Sequence, residues 1–247
     1  MDNSSPSKQF GKNRGFFLYS TFSIIACLVL SLYYFIDKDY YSWIASEDHF
    51  SETLSALFFL ITGVILLVNS FYNIKKGSRF REEALFILFG LLFLYAAAEE
   101  ISWGQRIFNI PTPGFFLKYN VRAELSFHNL RIFHSKFYNP NSITDVFVFI
   151  MGIMIPVLCL RFEKVRKALN KINFPIIQFS FLPIFAIGLV FGLTMVQITD
   201  HHPFAPNEIK EFFYSIGFLL YSIAVVSLNK YRKKKGKFTR IFTFKKN

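Results

Sequence analysis

The stretch "ALFILFGLLFLYAAAEEISWGQR" occupies residues 84–106. Its first fifteen residues, Ala84 to Ala98, are apolar or small and run directly into two adjacent carboxylates, Glu99 and Glu100. About 20 predominantly apolar residues let a helix cross a bilayer, so this run reads as a membrane span over 84–108. Both acids then lie inside the span, about 12 Å from its end at a rise of about 1.5 Å per residue. The helix dipole disfavours negative charge in the second half of a helix, so helix-start stabilisation does not explain them. Ionisable groups inside a span are candidate functional residues by default.

The same pattern recurs along the chain. Of 247 residues, 53% are hydrophobic and 19% aromatic, with 34 Phe, a composition shifted from the soluble average toward the membrane class. Segments apolar enough to span fall at about 16–36, 53–73, 84–108, 143–160, 176–198 and 212–228. The expectation is an all-α polytopic transmembrane bundle of about six spans, one integral membrane domain over 1–247 ending in a basic cytoplasmic tail at 229–247. The 109–142 connection is too long for a plain turn. It opens with Pro-Thr-Pro-Gly, predicts a short helix from about Asn120, and has the Phe, Tyr and Leu content of an interfacial or re-entrant segment between spans three and four.

A net charge of +12 would suggest nucleic acid in a soluble protein, but the basic residues alternate by side of the spans. Twenty-one of the 28 Lys and Arg fall in the N-terminal tail, the 74–83 and 161–174 loops and the C-terminal tail, and seven fall on the other side. The positive-inside rule makes the basic side cytoplasmic, with both termini inside; the expected location is a bacterial inner membrane. Topology accounts for the charge, so no nucleic-acid partner is expected; the lipid bilayer is the partner, and the tail "KYRKKKGKFTR" suits anionic headgroups. "IIAC" at 24–27 fits a loose lipoprotein pattern, but apolar sequence continues through Ile36, which favours a retained span. Cys27 and Cys159 have no close partner spacing and read as packing residues.

By this topology nearly every remaining acid and all five His lie at the outer end of the bundle. Asp48, Glu52, Asp145, Glu208 and Glu211 stand near helix starts, where caps and the dipole explain them. Polar stripes formed by Asp48, Glu52, Ser55 and Thr62 and by Glu208, Glu211, Ser215 and Ser222 echo one another, as transporter repeats do. Tyr95, Glu99, Ser102, Trp103 and Arg106 share a face at 100° per residue, while Gly90, Ala97 and Gly104 form a small-residue seam. Glu124 and His128, four apart, would share a helical face beside Asn129, and a carboxylate and imidazole so placed hold a metal or pass a proton. His201 and His202 sit in "DHHP" at the end of span five.

"EEISWGQRIF", then "TP", then "NVRAELSFHN" resembles a group of uncharacterised bacterial multi-pass membrane proteins that carry E-E-I-S-W-G-Q-R, a Thr-Pro and N-x3-E-x3-H-N. The resemblance covers residues 96–129, with Gly114, Arg122 and Ala123 as departures, and implies that 96–106 and 120–129 form one signature. It implies no activity. The Glu-Glu-x3-Arg motif of intramembrane CAAX-type proteases is not matched, because five residues separate Glu100 from Arg106.

The expected site has Glu99, Glu100 and His128 as catalytic groups, with His128, Glu124, Glu100, His201 and His202 as candidate ligands of a divalent metal such as zinc. Arg106, Arg122, Arg131, Trp103 and Asn129 would bind substrate, the arginines suiting an anionic headgroup or phosphate. The leading expectation is an outward-facing metal-assisted hydrolase or transferase acting on a lipid-linked or anionic headgroup substrate. A transporter or proton-coupled carrier using the buried glutamates, and a non-catalytic membrane assembly subunit, are the alternatives. Bringing His128 close to Glu99 or Glu100 is the geometric condition for a shared site.

Overall fold

The computed structural model describes residues 14–45, 50–133, 140–198 and 205–234. Among these the chain is helical without a strand: α1 Arg14–Ile36, α2 Lys38–Ala45, α3 Phe50–Lys75, α4 Phe80–Glu100, α5 Gly114–Tyr119, α6 Pro140–Val148, α7 Ile155–Arg161, α8 Glu163–Lys171, α9 Leu182–Ile198 and α10 Ala205–Lys234. Among the described residues four stretches are long and apolar enough to cross a membrane: Phe17–Ile36, Phe50–Lys75, Ser142–Arg161 and Asn207–Ser227. Phe179–Met195 is apolar but shorter, and α4 carries acids at both ends.

Side-chain placement agrees with a lipid surround. Val68, Leu88 and Leu193 are more than half exposed on outer faces, while Ser55, Thr62, Ser70, Ser215 and Ser222 are buried. In lipid, apolar surface has no reason to hide, and polar groups do. The two polar stripes face inward on α3 and α10, which pack together. Their small residues admit close packing, and the hydroxyls of Ser55, Ser215 and Ser222 donate back to carbonyls of their own helices, those of Ser51, Phe212 and Leu219. Asp48 lies outside the described residues.

Glycines set the helix contacts. A Cβ on Gly63 of α3 would lie 2.8 Å from the Gly90 carbonyl of α4, so these backbones touch, and buried Ala97 extends the seam. Gly104 does not belong to it; at φ 75° it serves a turn. Between α6 and α7, residues Phe149–Met154 form a π-helical segment. Pro156 has no N–H to donate and its ring would crowd the carbonyl four residues earlier, so widening the preceding turn relieves the clash. Gly152 on that segment and Gly217 on α10 both close on the fully buried Phe185 of α9, which ties three helices together.

Two sequence expectations need correction. The third span does not continue as a helix to Phe108: α4 ends at Glu100, and Ser102, Trp103 and Gly104 take consecutive left-handed backbones at φ 46°, 54° and 75°. Glu99 and Glu100 therefore occupy the last turn of their helix rather than its interior. No helix begins at Asn120 either. The short helix is α5, which precedes it, and residues 120–130 form a closed loop pinned by an antiparallel Asn120–Leu130 bridge.

Candidate functional site

Non-glycine residues in left-handed conformation are costly, and here hydrogen bonds hold them. Ser102 Oγ donates to Glu124 Oε2 at 2.9 Å, and Trp103 Nε1 donates to Glu99 Oε1 at 2.6 Å. The turn that ends α4 thus faces the 120–130 loop, and the two are knitted by side chains of both. Gln105 accepts from the Leu125 amide at 2.6 Å and donates to Thr112 Oγ at 2.5 Å, and Thr112 donates to the Ala123 carbonyl at 2.9 Å. Asn120 Oδ1 accepts from the Arg122 amide at 2.8 Å, a local turn that competes with helix.

Glu124 is the hub of this cap. It accepts from Asn129 Nδ2 and Arg106 Nη2, each at 2.6 Å, and from Ser126 Oγ at 3.0 Å in addition to Ser102. Burial alone would raise its carboxyl; the bonds from Asn129, Ser102 and Ser126 and the Arg106 charge outweigh it and hold the group below the usual carboxylate range.

Glu99 is the second hub. Its Oε2 accepts the Phe127 and His128 amides, both at 2.8 Å, and lies 3.0 Å from His128 Nδ1. The condition for a shared site is met, through a loop rather than a helix. With a proton on Nδ1 shared toward Glu99, Nε2 is the nitrogen left to accept a proton or bind a ligand.

Glu100, one residue on, takes the opposite side. Its carboxylate, with those of Glu208 and Glu211 on α10, forms a group whose ligand oxygens all lie within 4.8 Å of one another. At an effective dielectric near 20, each ionised pair at that range repels by on the order of 3 kcal/mol, which a bound cation or a shared proton relieves. Oxygens on opposite sides of a cation with bonds of about 2.4 Å stand about 4.8 Å apart, so a hard divalent ion fits. The all-oxygen set suits magnesium, calcium or manganese better than zinc.

These acids line a cavity of about 420 Å³ bounded by α3, α4, α6 and α10 and roofed by the 120–130 loop. Glu52, Arg122, His128 and Asn129 share its polar end, and Phe59, Phe93, Phe147 and Phe218 its apolar end. Asp145 contributes differently from the helix-start role expected of it. It sits in the second turn of α6 and pairs with the buried Lys210 of α10, Oδ1 to Nζ 2.8 Å, while Tyr214 donates to the same oxygen at 3.0 Å.

The expected site residues therefore divide. Glu99 and His128 meet, and Glu100 joins a metal-competent group with Glu208 and Glu211. Neither His128 nor Glu124 belongs to that group, and Glu124 is committed to the cap. Of the expected substrate contacts, Arg106 and Asn129 bond Glu124 and Trp103 bonds Glu99, whereas Arg122 reaches the cavity and Arg131 lies exposed in a 3-10 turn. His201 and His202 lie outside the described residues. Glu208 and Glu211 escaped the sequence reading because an acid in a first helical turn has an ordinary explanation; the signal was that the inward stripe containing them continues through Ser215 and Ser222. Set against protein-family models, curated proteins and solved structures, the chain matches none of them.

Proposed function

We propose that this protein is a six-span inner-membrane enzyme, a metal-assisted hydrolase or transferase whose substrate is a lipid-linked or phosphate-bearing headgroup. The observation that carries this reading is the convergence of Glu100, Glu208 and Glu211 at the polar end of a cavity whose other end is aromatic. In this scheme Glu100, Glu208 and Glu211 would hold a hard divalent cation, which would supply Lewis acidity toward a phosphoryl or acyl oxygen. His128, oriented by Glu99, serves as general base toward water or an acceptor hydroxyl. Arg122 offers charge to the phosphate. The α4 and Phe179–Ile198 segments add two crossings to the four membrane-length helices, and the basic side is cytoplasmic. The chain is a member of the E-E-I-S-W-G-Q-R group it resembles; in support, that signature folds as one unit, with Glu99, Ser102, Trp103, Gln105 and Arg106 each bonded to the 109–129 connection or to one another.

Manganese binding to the purified protein in nanodiscs tests this. Glu100→Gln and Glu211→Gln should abolish it, whereas His128→Ala should retain the ion and lose turnover. Absence of manganese, magnesium and calcium binding to the intact protein would refute the metal chemistry. The closeness of the Glu100 and Glu211 carboxylates favours a second reading, a proton-coupled carrier in which the two share a transported proton. Metal-independent, pH-driven flux through reconstituted vesicles would select it.

A further inference from the structure

Among the described residues the cavity wall is incomplete on one side. Helix α4 packs along α3, and α10 packs along α3 and α9, but α4 and α6 make little backbone contact with each other. They meet across the Phe89–Phe147 ring contact at 6.2 Å, and Phe147 also touches Phe218 at 6.0 Å. Above that contact, Leu92 and Tyr95 on α4 and Ile143 on α6 line the cavity and are 41%, 45% and 46% exposed. Lining side chains that stay this accessible, between two helices with little backbone contact, mark its mouth. Leu92 lies eight residues before Glu100, about 12 Å down the helix at a rise of about 1.5 Å per residue. The mouth therefore opens beside the apolar flank of the bundle.

We propose that this gap between α4 and α6 is a lateral portal through which a phosphate-bearing membrane lipid enters from the bilayer. The proposal rests on the reading of the cavity as a substrate site. The headgroup reaches the polar end with its phosphate beside Arg122 and His128, and the first carbons of a chain lie along Phe93, Phe147 and Phe218. Size supports partial enclosure. A cavity of about 420 Å³ is at the small end of the range of about 300–1,000 Å³ that encloses drug-sized molecules, so a two-chain lipid fits only in part. Its remaining chains stay in the bilayer, and the open flank lets them do so. A water-soluble substrate would gain nothing from a mouth edged with leucine and isoleucine.

A photoreactive phenylalanine analogue placed at Phe147, in nanodiscs of phosphatidylethanolamine and phosphatidylglycerol, tests this by mass spectrometry of lipid adducts. The same probe at Val190, 60% exposed on α9, reports ordinary lipid contact, and at Phe185, fully buried, reports background. Adducts at Phe147 and Val190 but not at Phe185 are expected, and Leu92→Trp or Ile143→Trp should reduce the Phe147 yield several-fold without changing that at Val190. Phe218 is the second probe position should the Phe147 variant not fold. Adducts at Val190 with none at Phe147 or Phe218 would overturn the portal, as would a Phe147 yield indifferent to both tryptophans. Manganese binding is scored separately on the same preparations. Protein that binds no metal yet labels lipid at Phe147 removes the metal chemistry and retains the portal; protein that binds metal but labels no lipid there does the reverse.

Discussion

Replacing Asp145 with alanine removes the acceptor that faces the Lys210 ammonium. Nζ of Lys210 lies 2.8 Å from one Asp145 oxygen and 3.0 Å from the other, and the lysine side chain is 3% exposed against 19% for the aspartate. Removing one partner of a buried ion pair costs about 3–5 kcal/mol, mainly because the other charge is left unsatisfied. Asn207 Oδ1 remains 3.2 Å from the ammonium, and Asp145 is partly open to solvent, which together place the cost near the lower bound. About 3 kcal/mol, at about 1.4 kcal/mol per factor of ten, is more than a hundredfold in the folded-to-unfolded ratio. Lys210→Met keeps the stem that passes Gly192, where a Cβ would lie 2.6 Å from Lys210 Cδ, and deletes the charge. The double variant Asp145→Ala/Lys210→Met should therefore recover much of the loss. Equilibrium unfolding in mixed micelles measures all three variants. A single-variant cost below about 1 kcal/mol, as a helix-start role would give, refutes the argument; so does a double variant no more stable than Asp145→Ala.

Other consequences are as direct. Glu124→Gln removes a charged acceptor from the cap, and at about 1.5–3 kcal/mol for a charge-assisted bond the amides of Phe127, His128 and Val121 should exchange at least tenfold faster; unchanged protection would show that Glu124 does not hold the loop. Because the Glu124 carboxyl is held below its unfolded value, its contribution is complete above the ordinary Glu range and is lost as pH falls through the lower folded value. Trp103 fluorescence should accordingly stay constant as pH falls through the ordinary Glu range and change only below it. Gly90→Val, with a Cβ 2.8 Å from Leu67 Cγ and 3.2 Å from the Gly63 carbonyl, should cost about 1–3 kcal/mol by overpacking, whereas Gly114→Ala, with open space around it, should be neutral or slightly stabilising in thermal denaturation. Reporter fusions at Lys75, Lys167 and Lys233 should read as cytoplasmic and those at Tyr41 and Lys118 as external; an external signal at Lys167 would invert the placement of the site.

Helix existence was legible in the sequence because length and apolar content decide it, and α1, α3 and α10 follow the apolar runs that announce them. The end of α4 was not. Ile-Ser-Trp-Gly contains no proline, and the left-handed Ser102 and Trp103 are held by Glu124 and Glu99, partners that only the tertiary fold brings near. The loop at 120–130 misled for a related reason. Glu124 and His128 have helical spacing, but Asn120, Ser126 and Asn129 offer side-chain bonds that compete with helix, and here they win. An approach of His128 to Glu99 or Glu100 was expected, since a carboxylate in an apolar segment demands donors, and Glu99 is the partner. Which acids would join Glu100 was hidden, because α10 follows α4 by about a hundred residues and glutamates near a helix start look ordinary alone.

The π-helical segment Phe149–Met154 acts on the site at a distance, as a phase shift. An α-helix advances 100° per residue, so one extra residue absorbed in a wide turn rotates everything before it relative to everything after it. Below the segment, α7 carries Pro156 and Cys159 inward; above it, Asp145 meets Lys210 and Phe147 meets Phe218. Deleting one residue from the wide turn would restore an ordinary helix without disturbing a single membrane-facing composition rule, yet it would swing Asp145 and Phe147 together by about 100° and away from α10. The chain length between two otherwise unremarkable halves of one helix thus sets the angular address of the cavity wall, and hydropathy is blind to it.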